Sequence, residues 1–228
     1  MSRMLTREEA RAFYDRFGAR QDRQGWYEDA ALEALARELR LGEARRVYEL
    51  GCGTGRLAQR LLSGALPPDA EYVAVDLSAT MRALAAERLR PFAPRAAVYD
   101  PEALPRELLA PGRYDRYLSA YVFDLLSETE TGARLEEAHR LLAPGGVLGI
   151  AGLTPGETAW GRAVMGLWRA VHARHPRAVG GCRPLRVAAL LRGDRWRVLH
   201  RGVHSAYGIC SEVVVAARVN EAEPSALP

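Results

Sequence analysis

Between residues 47 and 153, short apolar runs that suit a strand alternate with longer stretches of helical period, and this alternation constrains the fold more than any other feature. Residues 47–50, 71–76, 96–99, 114–120 and 147–153 read as five strands, with helices at 56–62, 78–90 and 127–142. Met81, Leu84, Ala85 and Leu89 keep helical spacing until Pro91 ends it. Ser127 and Glu130 form a capping box for a helix carrying Leu135, Ala138, Leu141 and Leu142, which Pro144, Gly145 and Gly146 then stop. Such alternation predicts parallel βαβ units with right-handed crossovers and helices on both faces of one sheet.

The end of the chain breaks the pattern. Residues 196–205 and 212–219 read as strands with about six residues between them, too few for a parallel crossover, so they form an antiparallel hairpin at one edge. The sheet then has seven strands, the last reversed. Upstream, Thr6 and Glu9 cap a helix bearing Phe13 and Phe17, and a second helix covers residues 26–41 up to Gly42. A further helix, 157–175, is inserted between strands five and six, with Trp160, Val164, Leu167, Trp168, Val171 and His175 as its apolar stripe. A glycine-rich turn at 180–184 leads to a short helix at 185–191, and residues 220–228 read as a disordered tail.

Composition excludes several functions. All 32 basic residues are arginine; without lysine neither a Walker phosphate loop nor Schiff-base chemistry is available. The net charge of +4 is small and its arginines scattered, with no basic and aromatic clusters, so no nucleic-acid partner is expected. No apolar run reaches the roughly 18 residues of a membrane span, and the charged N-terminus lacks a signal peptide's apolar stretch. Three widely spaced cysteines offer neither a disulfide framework nor a metal site. A cytoplasmic protein without metal follows. The arginines Arg162, Arg169, Arg174, Arg177 and Arg183 leave open peripheral contact with an anionic membrane surface.

Residues 48–57 read YELGCGTGRL, at the turn from first strand to first helix, where open α/β sheets bind ligands. A dinucleotide turn needs glycine at 51, 53 and 56, but position 56 is arginine and the third glycine falls at 55, which disfavours a nicotinamide-dependent oxidoreductase. The pattern Glu49, Gly51, Gly53, Gly55 resembles the first motif of the class I S-adenosylmethionine-dependent methyltransferases, and Asp76, 21 residues past Gly55, matches their ribose-binding carboxylate. Asp100 in AAVYDPEALP, the strand YDRYLSAYVFDLL, the turn LLAPGGVLGIAG and the reversed last strand extend the resemblance over about 150 residues. Within that family the chain looks most like the small-molecule, quinone or lipid enzymes, and FYDRFGARQD resembles their lid.

The resemblance implies a Rossmann-like single domain divided into a helical lid (1–42), a cofactor-binding core (43–154), a cap (155–194) and the terminal hairpin (195–219). It implies S-adenosylmethionine as cofactor, with Glu49 near the methionine ammonium, Asp76 on the ribose hydroxyls and Asp100 on the adenine amino group. Gly51, Cys52, Gly53 and Gly55 would supply the cradle, Cys52 through its backbone; Leu77, Met81, Pro101 and Ser119 would flank the cofactor, Tyr14 would cover it and Arg20 would meet its carboxylate. The acceptor is expected to be small or amphipathic. Should it need a base, His172, His175, His204, Tyr121 and Asp124 are the candidates. A catalytically silent cofactor-binding sensor or partner subunit is the competing reading.

Overall fold

The computed structural model describes residues 4–219, so the tail expected at 220–228 lies outside the described residues. Strands β1 (Arg46–Leu50), β2 (Glu71–Val75), β3 (Ala96–Tyr99), β4 (Tyr114–Ala120), β5 (Leu142–Leu153), β6 (Trp196–Ala206) and β7 (Ile209–Arg218) form one sheet in the order β3-β2-β1-β4-β5-β7-β6. The first five are parallel, and β7 runs antiparallel to both β5 and β6. Helices α1 (Arg7–Phe17), α2 (Gly25–Glu38), α3 (Arg56–Arg60), α4 (Ala79–Leu89), α5 (Glu128–Leu141) and α6 (Ala159–Arg174) surround it. This is the expected Rossmann-like sheet with its seventh strand reversed.

Two cores follow from the two-residue period of the strands. Val47, Tyr72, Ala74, Leu118, Val213 and Val215 point to one face, where Ala31, Leu32 and Leu35 of α2, Leu57 of α3 and Ala85 and Leu89 of α4 cover them. Their neighbours Tyr48, Val73, Val75, Tyr117, Leu148 and Val214 point to the other, under Leu135, Ala138 and Leu141 of α5. Because the chain leaves β1 toward β2 and later returns to β4 on the other side, the strand order reverses between β1 and β4. A crevice opens there at the carboxyl ends of the strands.

Four local expectations need correction. Strand β5 begins at Leu142, since Leu142 pairs with Tyr114 across a register shift and Pro144 to Gly146 do not break the strand. The hairpin turn is only Tyr207 and Gly208, both at positive φ, so β7 starts at Ile209. Residues 185–191 make a single 3-10 turn at Val187–Leu190. In α6 the covered side is Gly161, Met165 and His172, whereas Trp160 and Leu167 of the expected stripe face outward. The helix carries apolar side chains on two arcs, and Met165 and Trp168 lie on the inward one.

Candidate cofactor and acceptor site

Gly51 ends β1 at φ +73, and both its N–H and that of Cys52 donate to the Val75 carbonyl, at 2.8 and 3.0 Å, which bends the loop back over β2. A Cβ on Gly51 would lie 2.2 Å from Val122 Cγ2, and one on Gly53 (φ +53) 2.6 Å from Gln21 Oε1. Any side chain at either position would fill the space above the loop. Gly55, at φ +76, is the N-cap of α3 and packs on Ala85. Cys52 is buried in the core with its thiol pushed up by burial, so its side chain is inert and its backbone shapes the loop.

Asp76 follows β2 and faces the loop. Its Oδ2 accepts the Gly53 N–H and its Oδ1 the Ser78 N–H, both at 2.8 Å. Burial raises the carboxyl above its ordinary range while these two donors oppose the shift. Each carboxylate oxygen has two lone pairs, so each retains capacity for a vicinal hydroxyl of a ligand. Glu49 is fully buried beneath the loop, where Tyr72 Oη donates to it at 2.9 Å; burial pushes it up to about 7.

A cavity runs from this loop outward. Leu50, Gly51, Gly53, Val75, Asp76, Leu77, Ser78, Met81 and Pro101 line its inner part. Beyond them Tyr14, Tyr121, Val122, Leu125, Leu126 and Leu5 continue it, with Arg7, Arg11, Glu130 and Arg134 also on the wall. A smaller polar chamber on the far side of Gly51 and Tyr121 is lined by Glu28, Glu49, Cys52, Thr54 and Arg56. Gln21 borders both, and its buried Oε1 has no hydrogen-bond partner.

The N-terminal segment closes the cavity through side chains that sequence reading missed. Asp15 accepts from Ser78 Oγ at 2.5 Å and the Thr80 N–H at 3.2 Å, joining Ser78 at the N-terminus of α4. Asp22 pairs with Arg88 at 2.7 Å and accepts from Thr54 Oγ1, and Glu102 pairs with both Arg7 and Arg11. These contacts had no sequence signal beyond the lid resemblance, because each joins an acid to a partner more than thirty residues away.

Several expected site residues lie elsewhere. Asp100 is not on the cavity wall: it pairs with Arg82 at 2.7 Å and caps its own turn by accepting the Glu102 N–H. Ser119 Oγ donates to the Leu50 carbonyl between two strands. Arg20 is exposed and lines a separate hollow with Phe13, Phe17 and Arg177, because the 3-10 segment Gly18–Gln24 turns Gln21 and Asp22 inward in its place. Of the proposed bases only Tyr121 borders the cavity. It sits at φ +56, a costly left-handed conformation, with its Oη 2.8 Å from Ser211 Oγ.

Tyr121's neighbours explain why the others fail. Asp124 turns away to accept the Leu153 N–H, and its carbonyl accepts the Arg183 N–H, so it ties the cap to β5. His172 is buried with Nε2 3.0 Å from the Gly181 carbonyl, His175 is the exposed C-cap of α6, and His204 lies on the edge strand β6. Burial raises the phenols of Tyr14 and Tyr121 far above their ordinary range, which keeps both protonated; Tyr14 Oη donates to the Gly180 carbonyl at 3.2 Å.

The fold and site together are those of an α/β protein with a Rossmann-like sheet and a reversed last strand, in which a glycine loop faces the Asp76 carboxylate at the switch point where such sheets bind ligands. Residues 47–146 match the family model for a methyltransferase domain. The matched stretch includes the glycine loop and Asp76. The cradle and Asp76 fit S-adenosylmethionine, the cofactor that the family resemblance implies, and Gln21 Oε1, which has no hydrogen-bond partner among the described residues, would be an acceptor for its ammonium.

Solved structures share the fold. The 1,6-didemethyltoxoflavin-N1-methyltransferase of Burkholderia thailandensis, solved with 1,6-didemethyltoxoflavin and S-adenosylhomocysteine, is 18% identical, with 96% of this chain and 93% of that one covered at a TM-score of 0.64. The N-methyltransferase NodS of Bradyrhizobium japonicum, solved with S-adenosylhomocysteine, is 16% identical, covering 82% and 87% at 0.58. The 4+2 cyclase SpnF is 18% identical, covering 83% and 80% at 0.63. No curated protein matches the sequence.

Proposed function

We propose that the enzyme transfers the methyl group of S-adenosylmethionine to a small or amphipathic organic acceptor bound under the N-terminal lid. The observation that carries this reading is the continuity of the cavity: past Asp76 and the glycine loop it runs on, largely apolar, between Tyr14, Tyr121 and Leu125 to Leu5 and Leu126. In this reading Asp76 holds the ribose, Gly51, Gly53, Gln21 and Glu49 surround the methionine end, and Leu77, Met81 and Pro101 flank the adenine. The cofactor supplies a sulfonium methyl for in-line displacement, so the protein's task is to hold the acceptor's nucleophilic atom at attack distance. Tyr121 and Tyr14 orient the acceptor. Tyr121, the expected candidate that borders the cavity, stays protonated, so the acceptor reacts through a lone pair it already has or arrives ionised. Three unpaired cysteines suit a reducing compartment, which supports placing the enzyme in the cytoplasm.

Calorimetry of cofactor binding to wild type and Asp76→Ala tests the site, with a loss of at least about tenfold expected for two hydrogen bonds to a charged group. Equal affinity sinks the ribose assignment. Methyl-labelled cofactor with fractionated extract then tests transfer. The 4+2 cyclase SpnF shares this fold, so bound cofactor without a labelled product would favour the silent sensor.

A further inference from the structure

Part of the apolar stripe of α6 stands in water, whereas Trp168 of the same stripe turns inward and donates to the Cys182 carbonyl. Trp160 is 66% and Leu167 68% exposed, and Val164 and Val171 on the same arc are only half-buried. Two aromatics extend this arc. Gly208 in the hairpin turn packs between Val164 and Trp160, and beside it Tyr207, 84% exposed, has its ring 5.8 Å from that of Trp26, itself 57% exposed. A connected set of large apolar side chains on the outside of a folded domain marks a contact surface.

Two further observations say what it contacts. Tyr207 holds φ +52, where a bulky side chain is disfavoured and Asn or Gly is relaxed, so an exposed ring is maintained there at a cost to the backbone. Helix α6 contains Arg162, Arg169 and Arg174 and no acidic residue; Arg177, which follows it, is paired with Glu9, and the nearest acid before it, Glu157, is paired with Arg201. On the same arc Ala159 and Ala163 are exposed and Ala170 is half-buried.

We propose that α6, with Trp26 and Tyr207 beside it, is the face by which this protein lies on an anionic lipid bilayer. Trp, Tyr and Leu enter the boundary between headgroups and acyl chains, and the arginines meet the lipid phosphates. No helix among the described residues is long and apolar enough to cross the membrane, so the contact is peripheral. The proposal stands apart from the cofactor reading, since none of these side chains borders the cavity.

Co-sedimentation with phosphatidylcholine vesicles, with and without phosphatidylglycerol, at low and high salt tests it. Wild type is expected to partition onto the phosphatidylglycerol vesicles and to lose most of that partition at high salt, at about fivefold per arginine engaged. The pair Trp160→Glu and Leu167→Glu is expected to reduce partition by at least about tenfold at unchanged cofactor affinity, which checks its folding. Wild type remaining in the supernatant of both vesicle types, or a double variant that partitions like wild type, overturns the proposal. So does a wild-type dimer in sedimentation velocity that the same pair dissociates, because the ridge would then cover a second copy.

Discussion

Arg82 Nη2 lies 2.7 Å from an Asp100 carboxylate oxygen, and Nη1 of the same guanidinium donates at 2.9 Å to the carbonyls of both Asp76 and Leu77. One arginine on α4 thus fastens the ends of β2 and β3, the two segments that border the inner cavity. It also occupies the carboxylate that the family resemblance assigns to adenine.

Replacing Arg82 separates these roles. Arg82→Ala is expected to weaken cofactor binding about tenfold, because two carbonyls and a carboxylate lose a charged donor and the Asp76 turn loses its brace. Asp100→Asn keeps an acceptor for Arg82 and is expected to change affinity by less than about threefold. Calorimetric titration of both variants decides the matter: a larger loss in Asp100→Asn than in Arg82→Ala would return Asp100 to the adenine.

Three buried carboxyls set a pH dependence. Burial pushes Glu28, Glu49 and Asp124 each up to about 7. The unfolded chain ionises them in the ordinary carboxylate range, so between about pH 5 and pH 7 the folded state holds more protons than the unfolded one. These carboxyls make stability fall as pH rises through this window, by on the order of 1 kcal/mol per pH unit from each group, and Asp76, also raised by burial, acts in the same direction; His139, His172 and His204, whose imidazoles burial holds below their ordinary value, oppose the fall up to about pH 6.5, above which only the carboxyls act until the change levels off. Asp15 and Asp22, whose carboxyls hydrogen bonds and Arg88 hold below their usual range, lose their contributions only on more acidic titration, outside the window. Denaturant midpoints measured at about pH 5.5 and pH 8 should differ in that direction. In Glu49→Gln, which leaves Tyr72 an acceptor, the difference should shrink. A midpoint that rises with pH in wild type refutes the account.

What the sequence reveals and hides divides along physical lines. The strands, the reversal of the last one and the glycine turn are legible because glycine spacing, an acid 21 residues on and a missing crossover are local signals read along one chain. Helical phase against a neighbour is not local. Periodicity finds an apolar arc at Trp160, Val164 and Leu167 in α6, yet Gly161, Met165 and His172 face inward, because β7 and the turn around Cys182 admit only that side. The same limit hides Arg82, whose reach to Asp100 depends on how α4 sits beside β3, and Gln21, which a 3-10 segment turns inward while Arg20 stays exposed.

Tyr207 ties stability to surface function. At φ +52 it occupies the first central position of a two-residue turn whose geometry Asn adopts readily, with Gly208 at φ +89 following. Tyr207→Asn is therefore expected to stabilise the fold by about 1 kcal/mol, less whatever the ring contact with Trp26 contributes, and to raise the melting temperature by about 2 to 4 °C. Cofactor affinity should be unchanged because the ring lies outside the cavity. Binding to phosphatidylglycerol vesicles should weaken in the same variant, as one aromatic anchor is gone. Thermal melts and vesicle sedimentation on a single preparation measure both effects. A variant that melts lower than wild type would show the ring contact to outweigh the backbone strain, and would remove the reason to read Tyr207 as retained for its surface.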